Sequence, residues 1–82
     1  MSSFFPLDQL EAGGRAVLAK IDQDLPCAAR LGELGFFPGV SVACAFKGRR
    51  GENAAYALGG ALIALRREDA AGILVSPVRE AG

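Results

Sequence analysis

The clearest periodicity in the chain runs from residue 40 to residue 47. Val40, Val42, Cys44 and Phe46 alternate with Ser41, Ala43, Ala45 and Lys47, the period-two pattern of a strand with one face on a core. Arg15 to Asp22 carries a second such pattern, with Val17, Ala19 and Ile21 on one face and Leu18 and Lys20 on the other. Ala54–Leu58, Ala61–Leu65 and Ile73–Val78 read as further strands, the last with Pro77 at its margin, where a missing N–H is tolerated. Between the first two strands the period changes. Ala28, Leu31 and Leu34 recur at helical spacing and predict a short helix over Cys27–Leu34 with one apolar stripe. Asp24 is placed to cap its start, Pro26 follows where a lost N–H costs little, and Gly35 is placed to end it in a left-handed turn. Gly32 interrupts the helix at a cost of up to ~1 kcal/mol relative to alanine, so the helix depends on packing.

The punctuation between these runs is dense. Eleven glycines and four prolines in 82 residues imply many tight turns and favour short strands. Phe37-Pro38-Gly39-Val40 has proline and glycine at the two central positions of a type II turn. Gly48–Asn53 reads as a polar hairpin loop, Gly59-Gly60 as a tight turn, and Arg66–Ala71 as a helical turn ended by Gly72. Leu7-Asp8-Gln9-Leu10 reads as a single helical turn, residues 1–5 as a loose lead-in, and Glu80-Ala81-Gly82 as a frayed end. The prediction is one mainly β domain over residues 1–82, with its core about 7–78. It is a small five-stranded barrel with one short helix and a helical turn, closed or nearly so to hide its strand edges.

Composition narrows the function classes. Apolar residues make up 51% of the chain, enough for a core, and the nine basic and nine acidic residues cancel. Neutrality argues against a disordered chain and against a nucleic-acid binder, which is usually basic overall. The first ten residues lack the basic start and apolar run of a secretory signal, and no stretch approaches the ~20 apolar residues of a membrane span. With only Cys27 and Cys44, no disulfide framework is expected. The expectation is a cytoplasmic protein with reduced thiols. Histidine is absent, which removes the commonest general base and the commonest transition-metal ligand.

Three segments, in this order and at this spacing, resemble the FeoA family. They are Leu7-Asp8-Gln9-Leu10 with its glycine-rich lead into a strand, Arg30-Leu31-Gly32-Glu33-Leu34-Gly35-Phe36-Phe37-Pro38-Gly39, and Leu62-Ile63-Ala64-Leu65-Arg66-Arg67-Glu68-Asp69-Ala70. The central hairpin departs from the family's Gly-Asp-Pro by reading Gly51-Glu52-Asn53, which leaves the loop less rigid. The resemblance implies an SH3-like barrel without catalytic activity. It implies a role as accessory to FeoB, a membrane ferrous-iron transporter with a cytosolic nucleotide-hydrolysing domain, to whose inner face the protein would be recruited. The same barrel is the C-terminal domain of repressors of the diphtheria-toxin-repressor type, but no helix-turn-helix segment is present here.

The residues offer little chemistry of their own. The family label of transition-metal binding finds no ligand set: Cys27 and Cys44 are far apart, no Cys-x-x-Cys or histidine accompanies them, and Cys44 falls on the apolar face of its strand. The nine carboxylates are scattered, and Gly13-Gly14 and Gly59-Gly60 lack the lysine and hydroxyl of a phosphate loop. No catalytic, cofactor or metal residue is assigned. Lys47, Arg49 and Arg50 at the hairpin, and Arg66 and Arg67 at a strand end, read as a solvated, aggregation-blocking set or as contacts to an acidic partner. An alternative is a stand-alone SH3-like module that binds nucleic acid or protein, though nothing aromatic lies beside these arginines. The expected partner surface is Arg30, Leu34, Phe36 and Phe37, with Arg49 and Arg50 second. Of two adjacent phenylalanines entering a turn, one closes the barrel and the other is exposed. Exposed apolar groups would also permit self-association into a homo-oligomer.

Overall fold

A computed structural model describes residues 3–78. The six strands are β1 (Phe5–Pro6), β2 (Arg15–Ile21), β3 (Ser41–Lys47), β4 (Asn53–Leu58), β5 (Ala61–Arg66) and β6 (Ile73–Pro77). The helices are α1 (Ala28–Leu34) and α2 (Arg67–Ala70), with single 3-10 turns at Leu7–Gln9 and Arg49–Gly51. All pairings are antiparallel, in the order β1-β6-β2-β3-β4-β5. The fold is the expected mainly β one, with two differences. The lead-in ends in a sixth strand, because Phe5 and Pro6 pair with Val75 and Leu74. The ladder also stays open, with β1 and β5 as its edges. The expected fraying of Glu80–Gly82 concerns residues outside those described.

Two bulges decide which side chains reach the core. In β2 the pairing with β6 shifts between Leu18 and Lys20, so Ala19 is an extra residue. The inward side chains are therefore Ala16, Leu18 and Ile21, not the Val17–Ala19–Ile21 face that strict alternation predicts. In β3 the pairing with β4 shifts between Cys44 and Phe46. Val42 and Cys44 point inward as expected, but the extra residue turns Phe46 to solvent, where it is 57% exposed. The core is then closed by Leu7, Leu10, Leu31, Phe36, Tyr56, Leu58, Ile73 and Val75. Leu7 enters it from the first 3-10 turn, and Ala70 from α2.

The loop before α1 also differs from expectation. Asp24 does not cap the helix. Its own N–H donates to Asp22 Oδ1 at 2.9 Å, and Cys27 occupies the cap position without its side chain capping the helix. The loop is held instead by backbone turns, Leu25 N–H to Asp22 and Ala28 N–H to Leu25. Leu25 packs so closely over Gly72 that a Cβ there would lie 2.6 Å from its Cδ1, which explains a glycine at the α2–β6 junction.

Tyr56 is fully buried beside Cys44, and burial pushes its phenol up to about 12, with the charges of Cys44 and Asp8 adding to the effect. An unfolded tyrosine titrates near 10. The folded state thus resists ionisation, so its contribution to stability is whole below about 10 and is lost as pH rises towards about 12. Tyr56 is the sole tyrosine and tryptophan is absent, so the tyrosinate absorbance band reports on this site alone. The native chain should titrate near 12 or unfold on the way there, and Tyr56→Phe should remove that alkaline instability. A native midpoint near 10, without unfolding, would contradict the burial.

Candidate partner-binding surface

The segment from α1 into β3 is fixed by its backbone. Gly35 adopts φ 106°, ψ 8°, the left-handed conformation that glycine takes most easily. The N–H of Phe36 donates to Leu31 O at 3.0 Å and that of Gly35 to Gly32 O at 3.1 Å. This paired closure is the Schellman motif, in which the residues at its two ends also meet as apolar neighbours. Here those residues are Leu31 and Phe36, each 1% exposed and both in the core. The turn after it has Gly39 at φ 95° and Val40 N–H donating to Phe37 O at 3.1 Å, as a type II turn requires. It is tied to β2 on both sides, Gly39 N–H to Leu18 O at 2.7 Å and Leu18 N–H to Val40 O at 2.9 Å.

These bonds leave no freedom in the Phe36-Phe37 pair. Phe36 points inward and Phe37 outward, 55% exposed. Phe36 is thus a core residue and not part of the expected surface, and Phe37 is the exposed aromatic of the pair. On α1 the same geometry turns Leu31 in and leaves Arg30 exposed and Leu34 39% exposed. The three-residue stripe therefore splits: Ala28 and Leu31 pack inward, and its last member faces water.

Leu34 stands between two shallow grooves. One, of about 200 Å³, runs between α1 and β5, and Arg30, Leu34, Ile63, Ala64 and Arg66 line it, with Asp69 at its end. The other, of about 410 Å³, lies between Leu34 and Gly35 on one side and Val40, Leu58 and Gly59 on the other. Sequence reasoning missed the contribution of β5. Its Ile63 and Ala64 look like ordinary strand residues, and only the fold brings them beside Arg30. Arg49 and Arg50 are exposed at the β3–β4 hairpin and line neither groove. Arg50 holds φ 60°, a strained value for a side-chain-bearing residue. A third hollow, of about 500 Å³, joins that hairpin to α2 through Glu52, Asn53, Arg66, Arg67, Glu68 and Asp8, with Arg67 N–H donating to Glu52 O at 2.8 Å.

Both thiols are shifted towards their protonated form. Burial raises the Cys27 thiol, and the neighbouring Asp69 carboxylate raises it further by charge and hydrogen bond. Burial likewise raises Cys44. Both therefore hold their protons at neutral pH, and the thiolate is the form that binds metals. Among the described residues no group of three or more His, Cys, Asp or Glu side chains is placed to hold a metal ion, and no helix is long and apolar enough to cross a membrane.

The FeoA domain family model matches residues 5–77. Among solved structures, the FeoA-like protein of Clostridium acetobutylicum superposes with a TM-score of 0.86 at 22% identity, over 100% of this chain and 95% of that one. Stenotrophomonas maltophilia FeoA, solved with zinc and described as a prokaryotic SH3 domain protein proposed to activate ferrous iron transport, gives 0.77 at 31% identity, over 87% and 88%. A manganese-dependent transcriptional repressor gives 0.83 at 16% identity, over 95% of this chain and 44% of that one. Comparison with curated protein sequences gives no match.

The division between core and surface has a direct check in urea denaturation. Phe36→Ala should cost about 3–5 kcal/mol, as truncation of a buried aromatic does. Phe37→Ser and Leu34→Glu should each change stability by no more than about 0.5 kcal/mol. Equal losses at Phe36 and Phe37 would contradict the geometry.

Proposed function

The chain belongs to the FeoA family, and from that premise we propose that it serves ferrous iron transport as a non-enzymatic accessory that docks on the cytosolic face of a FeoB-type membrane transporter. The contact is made by Arg30, Leu34 and Phe37, with Arg49 and Arg50 as outlying charges. The observation that carries this reading is an exposed phenylalanine and leucine on a helix–turn whose backbone is pinned at both ends. A surface aromatic normally costs little to leave mobile. Here Phe36 before it is buried in the core and Gly39 and Val40 after it are bonded to β2, so little backbone ordering remains to be done on binding. Exposed apolar side chains on a fixed backbone, with Arg30 beside Leu34, have the composition of an interface hot spot.

The chain supplies the docking surface and no chemistry. Any nucleotide hydrolysis belongs to the transporter, and the domain acts by which conformation of that transporter it binds better. Arg49 and Arg50, being exposed and away from the grooves, serve encounter and orientation more than residence time.

A pull-down of the purified domain with the detergent-solubilised transporter of the same cell, with and without guanine nucleotide, tests the reading. Saturable binding is expected, weakened about tenfold or more by Phe37→Ser or Leu34→Glu. Neutralising Arg49 and Arg50 should slow association and flatten its salt dependence instead. If the folded Phe37 and Leu34 variants bind as the parent does, the surface is misplaced. If the folded parent binds in no nucleotide state, the accessory role itself fails.

A further inference from the structure

The two edges of the open sheet are built differently. β1 is two residues long and contains Pro6, a length and a residue that discourage further pairing. β5 is six residues long, Ala61-Leu62-Ile63-Ala64-Leu65-Arg66, with no proline, no charge before its last position and no bulge in its pairing with β4. Such an edge is a template for another strand.

Its free backbone groups can be named. The register pairs Ala61 with Leu58 and Leu65 with Ala54, and continues to Arg67, whose N–H donates to Glu52 O. Hydrogen-bonded and non-bonded pairs alternate along an antiparallel ladder. Ala61, Ile63 and Leu65 therefore spend their backbone groups on β4, while Leu62, Ala64 and Arg66 turn theirs to the free edge. On the outer face the same strands form an apolar floor. Phe46, Ala55 and Ala64 make one cross-strand row, and Ala43, Ala57 and Leu62 the next. Leu62 is 59% exposed, and Ala64 is exposed in mid-strand.

We infer that the chain forms a homodimer by antiparallel pairing of two β5 edges about a two-fold axis through Ala64. The occupant is a second copy because the edge is complementary to itself. The axis at Ala64 sets Leu62 opposite Arg66 of the second copy and Ala64 opposite Ala64. All the free positions then pair with one another, without drawing the Gly59-Gly60 turn into the ladder. Residues opposite each other lie on the same face, so Ile63 meets Leu65 on the inner side, and the alanine floor continues from one Phe46 to the other. No arginine faces an arginine. The interface is isologous and closed, so it makes a dimer rather than a fibre.

The test is sedimentation equilibrium of the full chain up to millimolar concentration, with no transporter present, so that it stands apart from the docking reading. The parent should reach twice its 8.5 kDa. Ala64→Lys and Ala64→Glu each put like charges opposite each other on the axis and should lose the dimer at the same concentration. An equimolar mixture of the two should regain it, because opposite charges then meet. Leu62→Lys, which sets a lysine against Arg66, should also lose it and serves if the Ala64 variants fail to fold. A parent that stays monomeric throughout overturns the inference, as does a dimer that survives these substitutions or a folded mixture that does not reassociate.

Discussion

The left-handed turn at Gly35 is the constraint on which the rest of this surface depends. It closes the helix by returning the Phe36 and Gly35 N–H groups to Leu31 and Gly32, and in doing so it buries Leu31 and Phe36 against each other. With Phe36 committed, the backbone has to present Phe37 outward. The Pro38-Gly39 turn then hands the chain to β3 while two hydrogen bonds fix it to Leu18. A side chain at position 35 would be strained by its φ and crowded by Leu58 Cδ2 at 3.3 Å. One glycine thus couples the helix, the barrel floor and the exposed aromatic, whose backbone is held on both sides.

Much of the architecture was legible because it rests on local signals that tertiary packing does not override. The Phe37-Pro38-Gly39-Val40 turn, the Gly35 stop and the Gly59-Gly60 hairpin are all set by backbone conformations that few residues accept. Where strict alternation misplaced strand side chains, the cause is the two bulges. A bulge adds one residue to one strand, and since side chains alternate with a period of two, every assignment beyond it changes face. Nothing in Leu18-Ala19-Lys20 or Cys44-Ala45-Phe46 marks the extra residue, and alanine, small enough for either face, conceals it. The Asp24 cap failed for a related reason. Asp22, two residues earlier, takes the Asp24 N–H, and both residues favour such turns equally.

The candidate surface was legible in half. Arg30, Leu34 and the alternative between Phe36 and Phe37 followed from the helix and turn, because they are local. The contribution of β5 was not, since no sequence rule places Ile63 and Ala64 beside a helix some thirty residues earlier. Phe46 was assigned to the core and stands on the surface, for want of the bulge. The arginines that looked like two clusters serve different places. Arg66 lies beside Arg30, whereas Arg49 and Arg50 stand at a hairpin apart from it.

A barrel of this kind does not declare its role by its shape, since a transcriptional repressor contains nearly the same one. The role has to be read from what the chain places on the barrel. Its thiols are held protonated, its carboxylates are dispersed, and its charges sum to zero. What the described surface offers besides scattered charge is apolar shape and exposed backbone. The helix–turn exposes the first at Leu34 and Phe37, and the β5 edge exposes the second. Arg66 borders both, at the end of the strand and on the wall of the α1 groove, as do Ile63 and Ala64.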